Sequence, residues 1–392
     1  SRLIGHPRFG SDWSSDVCSS DLASAYGVTE VKAEAGDMKI AMVTDSGDIT
    51  DQSFNQTTYE ACKAWSEENG SEFNYYKPES DSDEARNASV DQAVADGANV
   101  IVLPGYMFAA TIVEQSEMYP DVKFIAPDVS AGDICEKGVG EGYTYNPDDY
   151  EVTDYYNADN VYCCTYQEEI SGYMAGYAAV KLGYKHLGFL GGMSVPAVTR
   201  FGYGYVQGVD EAAKELGITS DVELEYVCGG QFYGDADITA YMDTWYGSKG
   251  VEVVFACGGG IYTSAAEAAA KVDGKVIGVD SDQSGIIGED ITVTSAMKGL
   301  APTVKTALDA IKDGSWESDY AGKIDNLGLV SENPEDNYVQ LPMETTQWDD
   351  NFTVDDYKDL VKKLYNGEIE VSSDITAMPE TEITVNDYGS IK

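Results

Sequence analysis

The sequence predicts an α/β protein with two doubly wound lobes, each built around a parallel sheet. Two observations predict this fold class. From residue 38 onward, short β-rich runs alternate with helical patterns, and strands that alternate with helices of about 10–15 residues are typical of βαβ units. The alternation also occurs twice, in two blocks separated by an acidic, tyrosine-rich stretch at residues 132–160. We therefore expect one lobe from each block.

The first block begins with a strand and continues as helix–strand pairs. Its first strand ends in a polar loop, and a helix begins near Ser53, because Phe54, Thr58 and Trp65 recur on one helical face. The Pro104-Gly105 pair ends the third strand. The predicted strands are 39–43, 73–76, 99–103 and 122–126, and further helices are predicted at 85–95 and 108–118.

The second block repeats this organisation with a helix first. The helix at 200–216 places Phe201, Tyr205 and Ala212 on one inner face. A last helix near 354–364 leaves a polar tail. The predicted helices are 167–182, 200–216, 237–245, 263–271 and 301–312, and the predicted strands are 186–190, 222–227, 251–255, 275–279 and 291–295.

These patterns predict three parts of the chain. Residues 1–36 contain Ser-Asp repeats without an apolar signal core, so we treat them as a non-native or unstructured N-terminal segment. We expect an N-terminal lobe from 37–162 plus 296–320. We expect a C-terminal lobe with a polar tail from 163–295 plus 321–392.

The charge of the chain excludes several classes of partner. Its 24 Lys and Arg against 69 Asp and Glu give a formal net charge of −45. Nucleic acids and anionic bilayers bind proteins through Lys and Arg, and this surface would repel both. A small neutral or cationic ligand is favoured, and the 28 tyrosines suit a wet binding cleft.

Polar, aromatic and glycine residues follow the predicted strands. In open parallel sheets, ligands bind beyond the carboxyl ends of the strands. We therefore expect ligand-binding residues at these strand exits: Asp45, Ser53, Phe54, Asn55, Gly105, Tyr106, Asp128, Phe201, Gly258, Tyr262, Asp280 and Lys298.

The motifs of common enzymes are missing from the sequence. It has no nucleophile elbow, no zinc-protease helix and no P-loop, and its only histidines are His6 and His186. We therefore expect no catalytic residues, no metal site and no cofactor. One alternative stays open, because Gly258 and Gly260 precede Asp280 as in a dinucleotide-binding fingerprint, although Thr263 replaces the third glycine.

Several runs of this sequence resemble the basic membrane protein (BMP) family, whose members are substrate-binding lipoproteins of ABC transporters. The opening run Thr44-Asp45-Ser46-Gly47 is followed by Asp51-Gln52-Ser53-Phe54-Asn55-Gln56. The resemblance extends over roughly residues 38–345. Further matching runs lie at 173–179, 191–209, 278–283 and 294–298.

The resemblance implies a type I periplasmic-binding-protein fold, with two lobes joined by a three-crossing hinge. It implies that Phe54 and Phe201, from different lobes, stack on a purine base. It also implies that Asn55 and Asp128 bind base edges, and that Asp280 and Lys298 bind ribose hydroxyls. Tyr203 and Tyr205 depart from the family pattern, and the acidic stretch 141–162 is longer than expected.

We expect a non-enzymatic, extracytoplasmic solute-binding component of an ABC importer that binds a purine nucleoside in the interlobe cleft. Its partners would be the nucleoside and an ABC permease, with no nucleic acid, and we expect a monomer. We expect lipid anchoring at the extracellular face of the membrane, or a periplasmic location, although the chain shows no lipobox cysteine. The alternatives are a binding protein for a sugar or other small solute, and a nicotinamide-dependent oxidoreductase.

Overall fold

The computed structural model describes residues 34–392 and divides them into two units. The first unit contains 34–50, 55–165 and 300–326, and the second contains 51–54, 166–299 and 327–392. The chain thus passes from one unit to the other after residues 165, 299 and 326. The short segment 51–54 also belongs to the second unit, although the residues on both sides of it belong to the first. Residues 1–33 of the predicted N-terminal segment lie outside the described part of the chain.

The first unit is built on a sheet with the strand order β11-β5-β4-β3-β1-β2. Strand β1 pairs in parallel with β2 and β3, and the parallel pairing continues through β4 to β5. The elements are β1 (Lys39–Val43), α1 (Phe54–Asn69), β2 (Glu72–Tyr76), α2 (Asp83–Ala95), β3 (Val100–Val102), α3 (Ala109–Met118), β4 (Lys123–Pro127), α4 (Ala131–Val139), β5 (Val161–Tyr166), α10 (Leu300–Asp313), α11 (Trp316–Asp319) and β11 (Ile324–Leu327).

The core of this unit forms between the central strands and the helices beside them. Strand β3 is buried along its whole length, and β1 is buried from Ile40 onward. On α1, the predicted face packs inward through Thr58, Ala61 and Trp65, whereas Phe54 is half-buried. The strands that lead to Asp45 and Gly105 therefore lie in the buried core of the unit.

The second unit is built on a sheet with the strand order β12-β10-β9-β8-β6-β7-β13. Its pairs are parallel except that β12 lies antiparallel to β10. The elements are α5 (Glu168–Lys181), β6 (His186–Gly191), α6 (Pro196–Leu216), β7 (Glu223–Cys228), α7 (Ala236–Tyr246), β8 (Val253–Cys257), α8 (Tyr262–Ala270), β9 (Lys275–Asp280), α9 (Ser284–Ile287), β10 (Thr292–Lys298), β12 (Val339–Gln340), α12 (Val354–Tyr365) and β13 (Thr384–Ser390).

Two features of the structure correct the sequence-based expectations. The end of the polar tail is a strand, because β13 pairs with β7 from Thr384 onward. The acidic stretch contains α4, and β5 follows directly after it. Both strands obtain their partners from distant parts of the chain, and α4 begins with a capping box formed by Ser130 and Asp133.

Helices α5 and α6 pack so closely that glycine is required where they meet. An added Cβ on Gly204 would overlap the carbonyl oxygen of Glu169, and one on Gly208 would overlap that of Tyr173. From the other side, a Cβ on Gly172 would overlap the carbonyl oxygen of Phe201. This contact places the first two turns of α5 beside residues 201–208 of α6.

Candidate functional site

In the first unit, Asp45 and Asn55 are joined directly at the end of β1. The Asn55 side-chain amide donates to Asp45 Oδ1 at 2.9 Å, and the Asp45 backbone N–H donates to Asn55 Oδ1 at 3.3 Å. The Gly47 N–H also donates to Asp45 Oδ1, at 2.8 Å. Asp45 therefore orients Asn55, which is buried at the start of α1.

Gly105 and Tyr106 lie beside this pair at the end of β3. Gly105 has φ +125°, and an added Cβ would lie 3.3 Å from Asp45 Oδ2. A larger residue would therefore be strained and would crowd the carboxylate. Tyr106 is 37% exposed. The pKa of its phenol is raised mainly by partial burial and, to a smaller extent, by nearby carboxylates.

Asp128 and Asp280 occupy equivalent places in the two units, each at the end of a parallel strand. Asp128 has φ +67° directly after β4, and Asp280 has φ +68° as the last residue of β9. Aspartate is one of the few non-glycine residues that adopt the left-handed region readily. Residues held in this sparsely populated conformation are often found at binding and active sites.

Within the second unit, the segment 51–54 is attached to Asp280 and its neighbours. The Ser53 hydroxyl donates to Asp280 Oδ2 at 2.5 Å, and the Gln283 side-chain amide donates to the Gln52 carbonyl at 2.9 Å. Ser53 is fully buried and Asp280 is 9% exposed. Because of these contacts, the segment belongs to the second unit.

This grouping corrects one expectation. Phe54 and Phe201 were expected to come from different lobes, but both belong to the second unit. Lys298 lies beside both of them, with Nζ 5.4 Å from the centre of the Phe54 ring and 5.6 Å from that of Phe201. The sequence could not show this, because Phe54 also starts helix α1.

Lys298 lies beside three aromatic rings and the Glu168 carboxylate. Its Nζ lies 5.3 Å from the centre of the Tyr166 ring, in addition to the two phenylalanine rings. It also lies 3.0 Å from Glu168 Oε2. Cation–π contacts of this kind contribute about 0.5–2 kcal/mol each. Together they hold the ammonium group of a side chain that is only 3% exposed.

Glu168 connects this lysine to a second cation. Its Oε1 accepts a hydrogen bond from Arg200 Nε at 2.7 Å, and its side chain is fully buried. Neither Glu168 nor Tyr166 was predicted as a site residue. An acidic residue in the first turn of a helix is common for electrostatic reasons alone, so the sequence carried no signal for Glu168 beyond that.

The remaining predicted residues occupy the ends of neighbouring strands. Phe201 is 2% exposed and packs edge-on against Phe255, with 5.9 Å between ring centroids. Gly258 has φ +151°, and an added Cβ would lie 2.9 Å from the Gly192 backbone. Tyr262 begins α8 and is half-buried. Its pKa is raised mainly by burial and, to a smaller extent, by the Asp51 carboxylate.

The sheet register brings the two polar sugar-binding candidates to one edge. Met297 pairs with Asp280 across β10 and β9, so Lys298 is one residue beyond the partner of Asp280. The second unit therefore gathers Ser53, Phe54, Phe201, Asp280 and Lys298. The arrangement offers aromatic faces, a hydroxyl-accepting carboxylate and an ammonium donor, and these groups suit an uncharged polar ligand with a flat ring.

A family model confirms the resemblance that the motifs indicated. Residues 38–374 match the Bmp family, described as PnrA-like ABC transporter substrate-binding proteins. The chain belongs to this family. The match covers most of the chain.

Two named relatives are similar to this chain at low identity over most of its length. The ABC transporter nucleoside-binding protein BmpA of Lactococcus lactis is 29% identical over 301 residues, covering 71% of this chain and 76% of the relative. Basic membrane protein B of Borreliella afzelii is 26% identical over 358 residues, covering 89% and 92%.

Solved structures confirm the fold class. An ABC transporter solute-binding protein from Aeropyrum pernix has a TM-score of 0.62 at 22% identity, covering 86% of this chain and 88% of that one. A solute-binding protein from Conexibacter woesei has the same TM-score and identity, covering 86% and 99%. The type I periplasmic-binding-protein fold is therefore confirmed.

Family membership also sets the general role. Bmp proteins are the substrate-binding components of ABC transporters, so this chain binds a small solute outside the cytoplasm, works with a membrane permease and is not an enzyme. Within residues 34–392, we find no helix with the length and hydrophobicity of a membrane span.

Proposed function

We propose that this Bmp protein binds a purine nucleoside for an ABC importer. The observation that carries the proposal is the cluster in the second unit, where the Phe54 and Phe201 rings lie beside Lys298, on the sheet edge that also carries Asp280. The Lactococcus relative, named as a nucleoside-binding protein, supports the same ligand class. We also propose that a lipid anchor and a monomeric state, expected from the sequence, apply to this chain.

Each part of a nucleoside has a chemical counterpart in this cluster. An aromatic side chain that stacks on a base contributes about 1–3 kcal/mol in nucleic-acid complexes. The Asp280 carboxylate can accept hydrogen bonds from both hydroxyls of a ribose, and Lys298 can donate one. A buried carboxylate that loses such donors costs about 1–3 kcal/mol, so ligands without the diol should bind more weakly. It stays a prediction that the ligand also contacts Asp45, Asn55, Gly105, Tyr106 and Asp128.

The sugar contact is tested with Asp280→Asn. Asparagine tolerates the left-handed backbone at this position, whereas alanine would add strain. We expect the parent protein to prefer guanosine over 2′,3′-dideoxyguanosine by about tenfold or more, since 1.4 kcal/mol corresponds to a factor of ten. We expect Asp280→Asn to remove most of that preference, as measured by isothermal titration calorimetry.

Two controls separate binding from folding. Asp273→Asn makes the same substitution at another left-handed aspartate of this unit, on an exposed turn, and should leave the preference unchanged. Phe54→Ala should weaken all purine ligands to a similar extent and preserve the sugar preference. If Asp280→Asn retains the full preference for the ribonucleoside, the assignment of Asp280 to the sugar is wrong.

The alternative ligand is a sugar or another small solute of this fold. A thermal-shift screen over nucleosides, free bases, pentoses and amino acids distinguishes it, because a ligand that binds only the native state raises the Tm. Stabilisation by ribose or another pentose without stabilisation by any nucleoside would replace the proposal with this alternative. The oxidoreductase alternative is not retained, because the family consists of substrate-binding proteins.

A further inference from the structure

We propose that Glu168 determines the charge specificity of the site, so that it accepts neutral nucleosides and rejects their phosphorylated forms. The inference rests on the proposed function, because it concerns the same ligand. Glu168 would not touch the ligand itself. It is a positioning residue that sets how much positive charge Lys298 and Arg200 present to the ligand.

The geometry places one carboxylate between the two cations of the site. Glu168 Oε2 lies 3.0 Å from Lys298 Nζ, and Glu168 Oε1 accepts from Arg200 Nε at 2.7 Å. Each oxygen therefore lies within ion-pair distance of a different cation. A phosphate group that approached Lys298 or Arg200 would have to compete with a carboxylate already in contact.

Burial makes this competition strong. The Glu168 side chain is fully buried and that of Lys298 is 3% exposed, so water screens their attraction little. The nearby Asp280, only 9% exposed, adds a second carboxylate on the same sheet edge. A neutral ligand does not compete with Glu168 for the charge of Lys298, whereas a dianionic phosphate would face two carboxylates.

The backbone around Glu168 is fixed by close packing. Glu168 is the first residue of α5, where the helix dipole favours a carboxylate. An added Cβ on Gly172 would overlap the Phe201 carbonyl oxygen, so the first two turns of α5 pack directly against α6 near Phe201. Arg200 and Phe201 are consequently held beside Glu168, and the ion pairs do not depend on a mobile loop.

The test measures the ratio of the affinities for guanosine and guanosine monophosphate. A purely structural defect would weaken both ligands and would not shift this ratio in a defined direction. Calorimetry at pH 8 compares guanosine with guanosine monophosphate for the parent protein and for Glu168→Gln, which keeps the shape and removes the charge. The parent should bind guanosine far more tightly. In Glu168→Gln we expect the preference for guanosine over its monophosphate to fall by about tenfold or more.

Two further variants act as matched controls. Glu169→Gln removes a carboxylate from the neighbouring position of the same helical turn, whereas the contacts with Lys298 at 3.0 Å and Arg200 at 2.7 Å are made by Glu168, so this variant should shift the preference much less. Arg200→Gln removes a cation while Glu168 stays, and should increase the preference for the neutral ligand. This second variant keeps the test decisive if Glu168→Gln does not fold.

The outcomes distinguish the two proposals. If the parent binds guanosine but Glu168→Gln shows the parent ratio or only the shift of Glu169→Gln, the role of Glu168 is wrong and the nucleoside proposal stands. If Arg200→Gln improves monophosphate binding, the role of Glu168 is also wrong. If the parent binds no nucleoside, both proposals fail.

Discussion

Tyr205 is a buried tyrosine whose hydroxyl has no hydrogen-bond partner within the described residues. Its side chain is fully buried, and its ring packs against Phe189 and Phe255. Burial raises its pKa, so the phenol stays neutral. A buried polar group without a partner costs about 1–3 kcal/mol.

We expect Tyr205→Phe to raise the free energy of unfolding by about 1 kcal/mol or more, because the substitution removes the unsatisfied hydroxyl and keeps the ring. Urea denaturation measures the change. Tyr246→Phe is the matched control, because the Tyr246 hydroxyl donates to the Lys275 carbonyl at 2.5 Å, and this variant should be destabilised. A Tyr205→Phe variant that is less stable than the parent would contradict the account.

Glu169 is a second residue whose burial has a measurable consequence. Burial, together with the neighbouring Glu168 carboxylate, raises the pKa of the Glu169 carboxyl to about 7 from an ordinary value of 4.5. The folded protein therefore binds this proton more tightly than the unfolded chain does. The corresponding stability is fully present below pH 4.5 and is lost as the pH rises through about 7.

We expect Glu169→Gln to gain stability relative to the parent between pH 5 and pH 8, by about 3 kcal/mol at most, since each pKa unit corresponds to about 1.4 kcal/mol. The glutamine has no proton to lose, so it avoids the cost of ionising a buried carboxyl. Urea denaturation of both proteins at the two pH values measures the difference. An equal difference at pH 5 and pH 8 would show that the carboxyl is not protonated in the folded state.

At the scale of elements, the contact between α5 and α6 determines where the site residues lie. Gly172 and Gly176 on α5, and Gly204 and Gly208 on α6, leave no space for a side chain. Their spacing of four residues places each pair on one face of its helix. Close backbone packing of this kind gives the two helices one possible arrangement.

We expect Gly208→Ala to lower the free energy of unfolding by roughly 1–3 kcal/mol, because the added methyl group overlaps the Tyr173 carbonyl and overpacking has costs of this size. Thermal and urea denaturation measure the loss. Gly285→Ala, on helix α9 with open space around the glycine, is the control and should be neutral or slightly stabilising. Equal effects of the two substitutions would rule out the packing account.

Strand β13 lies at the edge of the second sheet and is held there by side-chain hydrogen bonds to β7. Glu225 on β7 is buried and accepts hydrogen bonds from Tyr388 at 2.5 Å, from His186 at 2.7 Å and from Asn386 at 3.2 Å. Although burial opposes ionisation, these bonds together lower the pKa of Glu225. One buried carboxylate therefore pins two side chains of β13 to the sheet.

At the scale of the whole molecule, the formal net charge of −45 is the dominant property. Like charges on one compact chain repel each other and destabilise the folded state. Salt screens this repulsion, since the Debye length falls from about 10 Å at 0.1 M to about 3 Å at 1 M.

We expect the Tm to rise by several degrees when sodium chloride increases from roughly 0.05 to 0.5 M, because screening reduces the repulsion more in the folded state than in the extended chain. Differential scanning calorimetry without ligand measures the shift. Potassium chloride should give the same shift at the same ionic strength. A Tm that falls or does not change with either salt would show that specific ion pairs outweigh the net repulsion.

The sequence by itself determined the class of the fold and most of the strand exits. The apolar runs of β1, β8 and β9 are continuous because both faces of a parallel strand are buried, so their positions are visible without tertiary information. The residues that follow them, among them Asp45 and Asp280, were predicted as site residues for the same reason. Family motifs then indicated a substrate-binding protein of an ABC transporter, which the family model confirms.

Only the tertiary structure decided how these residues are grouped and what holds them. Ser53 and Asp280 are 227 positions apart in the chain, yet they share a hydrogen bond, and the segment 51–54 is grouped with the second unit. Glu168 joins the candidate cluster through its contacts with Lys298 on β10 and Arg200 on α6. Strand β13 forms through its pairing with β7. Local periodicity reports which face of an element is buried, but it carries no information on which distant residue will cover that face, because that choice depends on packing and on the partners available to buried polar groups.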